Sequence, residues 1–195
     1  MPSFFIRLFR VVSVRMIYSC FIISTPTASI LRCMKKFTDQ DAADLVQAAV
    51  DIAKTTVTDE GGAKPVAICC IISQPDVMAV PTVSRRMDGV KALSVTTALH
   101  IAFTVLAYGA DSIKHANKLK DGSWSEVDML FRQTTAPLFC PWDGGIVVMN
   151  NKGDLLCALA AAGRTSEGNR RLMVLAAHKL GYKTNFDEKG EPSDS

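Results

Sequence analysis

The sequence predicts an α/β (α+β) domain: an antiparallel sheet with helices on both faces, an α/β/α sandwich. Three observations carry this expectation. Val66 to Ser73 is a nearly continuous apolar run, the length and composition of a central strand buried on both sides. Ile146 to Met149 and Leu155 to Ala161 flank Asn150-Asn151-Lys152-Gly153, which reads as a hairpin turn. Before, between and after these strands lie segments whose apolar residues recur at helical spacing. A dinucleotide-binding reading fails, because parallel crossovers and a glycine fingerprint after the first strand are both missing.

The elements follow in order. Thr38 with Asp41 three residues on has the form of a capping box, and Leu45, Val46, Ala49, Ile52 and Ala53 then share one face, so a helix spans about Asp39 to Thr56. Gln74-Pro75-Asp76 ends the Val66 strand, and Val77 to Arg85 returns as its antiparallel partner. Pro81 within that partner places it at an edge or a bulge. Asp88-Gly89 turns the chain into a helix from Leu93 to Tyr108, with Val95, Ala98, Leu99, Ala102, Val105 and Leu106 as its apolar stripe and Gly109 as its terminator. Asp111 to Lys120 is a short polar helix. Ser123 and Glu126 suggest a cap for another short helix through Phe131, and Pro137 to Trp142 is extended. The last helix runs from Ser166 to Leu180, closed by Gly181, with His178 and Lys179 where positive charge suits the macrodipole. The residues from Asp187 to Ser195, and the whole stretch 184–195 beyond the domain, are expected to be a disordered polar tail.

Composition sets limits on function. The 195 residues are 48% apolar and 21% charged, enough for one domain with a sizeable core. The net charge of +3 is too small and too dispersed for a nucleic-acid binder, and collagen and coiled-coil patterns are absent. The charge changes sign along the chain: Arg7, Arg10, Arg15, Arg32, Lys35 and Lys36 precede the first acidic residue, Asp39. Residues 1–36 therefore form a separate basic segment. A basic amphipathic helix from Phe4 to about Tyr18 has the composition of a mitochondrial transit peptide. A secretory signal, with cleavage in Thr25 to Ser29, and a true start at Met34, which would leave the domain cytoplasmic, are the alternatives. The longest uncharged run, Met16 to Leu31, is too short to span a bilayer and carries Pro26.

Cys69, Cys70, Cys140 and Cys157 have irregular spacing and read as reduced core thiols rather than a disulfide framework. The sequence lacks Cys-x-x-Cys, His-Glu-x-x-His, a phosphate-cradling Gly-rich loop and Gly-x-Ser-x-Gly, so structural zinc, zincin, nucleotide and serine-hydrolase readings have no anchor.

Several short motifs, taken in order, resemble one family. Arg86-Met87-Asp88-Gly89 follows a hairpin, Ala102-Phe103-Thr104 lies on the next helix, and an extended Pro-x-x-x-Pro segment runs into Gly144-Gly145. Ala161-Ala162-Gly163 then precedes the final helix. The set is similar to the GlcG/HbpS family, which also includes the C-terminal domain of PduO-type proteins, and the likeness covers about Phe37 to Tyr182. The resemblance implies a five-stranded antiparallel sheet, homo-oligomers and, for some members, binding of haem with weak haem degradation. The chain departs from the family where Thr96 and Ile101 replace an acidic residue and a lysine. It departs again where Asn169, Arg170 and Arg171 replace an acidic cluster, and where Gln74-Pro75-Asp76 replaces an Asp-Ala-Gly-Gly turn.

Haem requires an apolar slot, an axial ligand and cations for its propionates. His100 and Thr104, four residues apart, share a helix face, and by resemblance Thr104 sits in the stretch associated with the haem site. Cys140 before Pro141, beside Trp142, offers a thiolate; His100 and Cys140 are the candidate iron ligands. His115, between Lys114 and Lys118, is placed to meet propionates. Outside this set, Asp143-Gly144-Gly145 allows close backbone approach, Arg85 and Arg86 either bind a carboxylate or pair with Asp88, and Gly163-Arg164-Thr165-Ser166 opens a helix. Haem or a related tetrapyrrole is the leading small-molecule ligand. A weak haem-degrading enzyme and a non-catalytic subunit of a mitochondrial assembly are the alternatives.

Overall fold

A computed structural model describes residues 36–56, 64–73, 82–125, 128 and 138–193. The N-terminal basic segment, the Gln74-Pro75-Asp76 turn, Pro81 and the proposed helix through Phe131 lie mostly or wholly outside these residues. Helix α1 (Asp39–Thr55) begins at the capping box read from the sequence. The Thr38 hydroxyl accepts from the Asp41 N–H at 3.2 Å, and the Asp41 carboxylate accepts from the Thr38 N–H at 2.9 Å. Strand β1 (Ala67–Ile72) is buried along its whole length, as its unbroken apolar run requires. It pairs antiparallel with β2 (Thr82–Arg86) on one side and with β4 (Leu155–Ala162) on the other. Strand β3 (Gly145–Met149) pairs antiparallel with β4, so the sheet order is β2-β1-β4-β3. The described residues thus form four strands where the resemblance implies five, and residues 138–142 belong to none of them. Placing β2 at an edge agrees with the reading of Pro81.

Helices cover both faces. Helix α1 and helix α4 (Ser166–Lys179) pack on one side, where Leu45, Val46, Leu172 and Met173 meet Ile68, Ile72, Ile146 and Leu159. Helix α2 (Ala92–Tyr108) packs on the other, where Ala98, Ile101, Ala102 and Val105 meet Ala67, Cys69, Ala158 and Ala160. The alanines on that sheet face let α2 lie close. At Gly145 a Cβ would come within 2.6 Å of the Ile101 side chain, so only glycine fits there. Gly109 ends α2 with φ 60°, as expected of a helix terminator. Helix α3 (Ser112–Asp121) follows directly.

Two expectations need correction. The buried stripe of α2 contains Ile101 and Thr104, while Leu99 faces outward at 36% exposure. Apolar residues surround this helix, so hydrophobic spacing alone could not choose the inner face. After α3, Ser125 and Asp128 form a reciprocal cap; Glu126 of the expected Ser123 cap lies outside the described residues. Residues 184–193 do not trail as a polar tail. Phe186 is buried, Asp187 caps a turn to Glu191, and the Gly190 carbonyl accepts from Arg170. Cys69, Cys70, Cys140 and Cys157 are free thiols and buried, as read from their spacing. Among the described residues no single helix is long and apolar enough to cross a membrane.

Candidate functional site

The sequence candidates gather where α2 ends, α3 begins and the 138–142 segment crosses them. Thr104 is fully buried; its hydroxyl donates to the His100 carbonyl and accepts from the Cys140 N–H, both at 2.9 Å. It therefore staples the crossing segment to α2, with its hydroxyl engaged both as donor and as acceptor. Cys140 lies beside it, buried, and desolvation pushes its thiol above the ordinary range, away from the thiolate that iron would require. The space between Thr104 and Cys140 is occupied by the chain itself. His100 is half-buried one turn earlier on α2.

One residue before Cys140 on the crossing segment, Phe139 leads into an aromatic cluster. Its ring lies 6.2 Å from that of Tyr108 and 5.5 Å from that of Trp124. The Tyr108 ring in turn lies 4.2 Å from that of His115, tilted against it, one turn into α3. His115 is 2% exposed, and among the described residues neither of its ring nitrogens has a hydrogen-bond partner. A buried imidazole with both nitrogens idle is unusual, since interiors almost always satisfy such groups. Burial first, and the Lys118 charge second, push its pKa below the ordinary value, so the ring is neutral with a lone pair available. Lys118 itself is held 2.8 Å from Asp128, whose carboxyl is lowered to about 2 by that ammonium and by the Ser125 hydroxyl and N–H.

Two further clefts flank Trp142, which is 58% exposed. The larger, of about 430 Å³, lies between α3 and the start of α4, with Leu119, Pro141 and Trp142 as apolar walls and Lys120 at its rim. The smaller, of about 240 Å³, opens toward Leu93 and Gly163. Both reach Asp143, which is paired with Arg170 and nearly as buried as it. Burial raises the Asp143 carboxyl pKa against the opposing pull of that guanidinium. Neither cleft is lined by a histidine or cysteine, and among the described residues no three His, Cys, Asp or Glu side chains converge on a metal position.

The remaining candidates have structural duties. The Ser112 hydroxyl accepts from the Gly144 and Gly145 N–H groups at 3.0 and 2.8 Å and donates to the Gly145 carbonyl at 2.9 Å, fixing the entry to β3. Arg164 donates to the Ala53 carbonyl at 2.6 Å and the Lys64 carbonyl at 3.0 Å, closing the end of α1 rather than holding an anion. Thr165 caps α4 by accepting from the Gly168 N–H. Tyr108, Trp124, Phe139 and Asp128 escaped the sequence reading. The spacing of Ser125 and Asp128 was the available signal for the last of them.

The family model described as "Haem degrading protein HbpS-like" matches residues 37–178. The chain belongs to the HbpS-like family. Solved structures agree in fold. A crystal structure of a PduOC:heme complex aligns with TM-score 0.62 at 17% identity, covering 76% of this chain and 98% of that one. A double mutant of HbpS from Streptomyces reticuli aligns at 0.57 and 19% identity, covering 84% and 99%. The Klebsiella pneumoniae protein ORFY aligns at 0.58 and 17% identity, covering 80% and 95%. No curated protein sequence matches. At such identities the structural likenesses establish the HbpS-like fold and leave the ligand to the residues of this chain.

Proposed function

We propose that this HbpS-like chain binds haem or a related tetrapyrrole beside the aromatic cluster, with His115 as the iron ligand. The observation that carries the reading is the neutral, buried His115 ring with two unengaged nitrogens. Such a ring is the common axial donor to haem iron. Tyr108, Trp124 and Phe139 supply flat apolar surface for a macrocycle, and Lys114 on the same helix is a cation for a propionate. The bound group would supply the iron chemistry; these residues would bind and orient it. Family membership and the haem held by a structural neighbour support the same reading.

Haemin titration followed at the Soret band tests it. One-to-one saturation is expected, with at least a tenfold loss of affinity in His115→Ala and little change in His100→Ala or Cys140→Ala. Loss confined to His100→Ala would return the iron to α2 and sink the assignment. A second reading, a subunit that has kept the fold without the ligand, is favoured by the sealed contact between Thr104 and Cys140. It predicts no saturable Soret change at all.

A further inference from the structure

Beside α1, away from the aromatic cluster, the edge strand β2 presents a second feature. A groove of about 430 Å³ lies between α1 and β2, floored by Val50 and Met87 and ringed by Lys54, Arg85 and Arg86, with Asp88 as the one acidic lining residue. Val83 and Met87 pack toward the α1 side of the sheet, and the alternation of a strand puts Arg85 on that same side. The sequence offered an ion pair between these arginines and Asp88; no such pair forms, and both arginines are exposed with no ion-pair partner among the described residues.

The other local destinations for positive charge are already taken. Asp51 accepts from Gln47 at 2.8 Å and lies 3.8 Å from Lys54. The carbonyls ending α1, which usually attract cations, are met by Arg164 at Ala53 and by the Thr55 and Thr56 hydroxyls at Ile52. Positive charge therefore gathers on a concave surface where Asp51 and Asp88 offset only part of it, an arrangement that concentrates small anions. We infer that this groove is a binding site for a small organic anion. A carboxylate or phosphate would face Arg85, whose planar fork suits either group, with Arg86 adding positive charge at the rim from the other side of the strand. A short apolar body would rest on Val50 and Met87.

The arginines also discourage strand-to-strand association at an exposed edge, so the test must separate the two roles. Citrate and inorganic pyrophosphate, titrated at low salt into the ¹⁵N-labelled protein, distinguish carboxylate from phosphate preference. The expected result is saturable shifts confined to residues 47–54 and 84–88. Affinity should fall at least tenfold in Arg85→Gln, and to a lesser degree in Arg86→Gln and in Lys54→Gln, with the haemin titration unchanged. Shifts scattered over the surface lysines, or affinity indifferent to all three substitutions, would overturn the assignment. So would a dimer that buries the groove and dissociates in the arginine variants.

Discussion

At the scale of single residues, His115 concentrates the unusual physics of this chain. Its imidazole is buried, neutral and without hydrogen bonds among the described residues, and the two lysines on its own helix further disfavour protonation while Asp128 favours it. Because the folded pKa is lowered from 6.5, the unfolded chain takes up a proton that the folded one refuses. Stability should therefore be level above about pH 7, by the ordinary titration range of histidine, and decline as the pH falls through 6.5 toward the folded pKa. His115→Phe keeps an aromatic ring in the cluster and removes the titration. Urea denaturation between pH 7.5 and 5.5 should show a smaller acid loss in this variant than in the parent. Equal slopes in the two proteins would mean that the ring is protonated when folded, which would weaken its case as an iron ligand.

At the scale of elements, what was legible in the sequence were features written locally. The capping box of Thr38 and Asp41, the stop at Gly109 and the hairpin before Leu155 are short-range signals, and all appear in place. The illegible features join distant residues. Asp111 and Ser112 look like the polar start of a surface helix, yet both are buried because they satisfy the free edge of β3. The Asp111 carboxylate accepts from the Val147 N–H at 2.7 Å, Ser112 serves Gly144 and Gly145, and Lys183 exchanges backbone bonds with Met149. Side chains thus close one edge of the sheet, whereas charge guards the β2 edge. The same blindness hid the inner face of α2, fixed by the absence of a side chain at position 145. Gly145→Ala should cost roughly 1–3 kcal/mol by overpacking against Ile101. Combined with Ile101→Ala, which opens space there, the two losses should sum to less than their separate values. Strict additivity in a double-mutant cycle measured by denaturation would show that the helix does not bear on this glycine.

At the scale of the whole molecule, the candidate site was partly legible: three of its named residues, Thr104, Cys140 and His115, do lie around one crossing, but only the fold assigns their roles. The C-terminal stretch makes the same point about stability. Its composition is that of a solvated tail, yet it binds elements remote in sequence. Asn185 donates to Asp111 at 2.7 Å, the Gly190 carbonyl accepts from Arg170 at 2.9 Å, and the buried Phe186 ring lies 5.5 Å beneath the same guanidinium. Arg170 is thereby held between Asp143 at the mouth of β3 and the tail, so the tail braces both clefts beside Trp142. Ending the chain after Lys183 removes the Phe186 burial and leaves Arg170 and Asp111 each short of a buried partner. By the usual magnitudes of apolar burial and lost hydrogen bonds, the loss should be about 2–4 kcal/mol. Asn185→Ala and Phe186→Ala in the full chain should each reproduce part of it. Urea midpoints unchanged by the truncation would mean that the domain closes without its tail, and that Arg170 finds enough compensation in Asp143 alone.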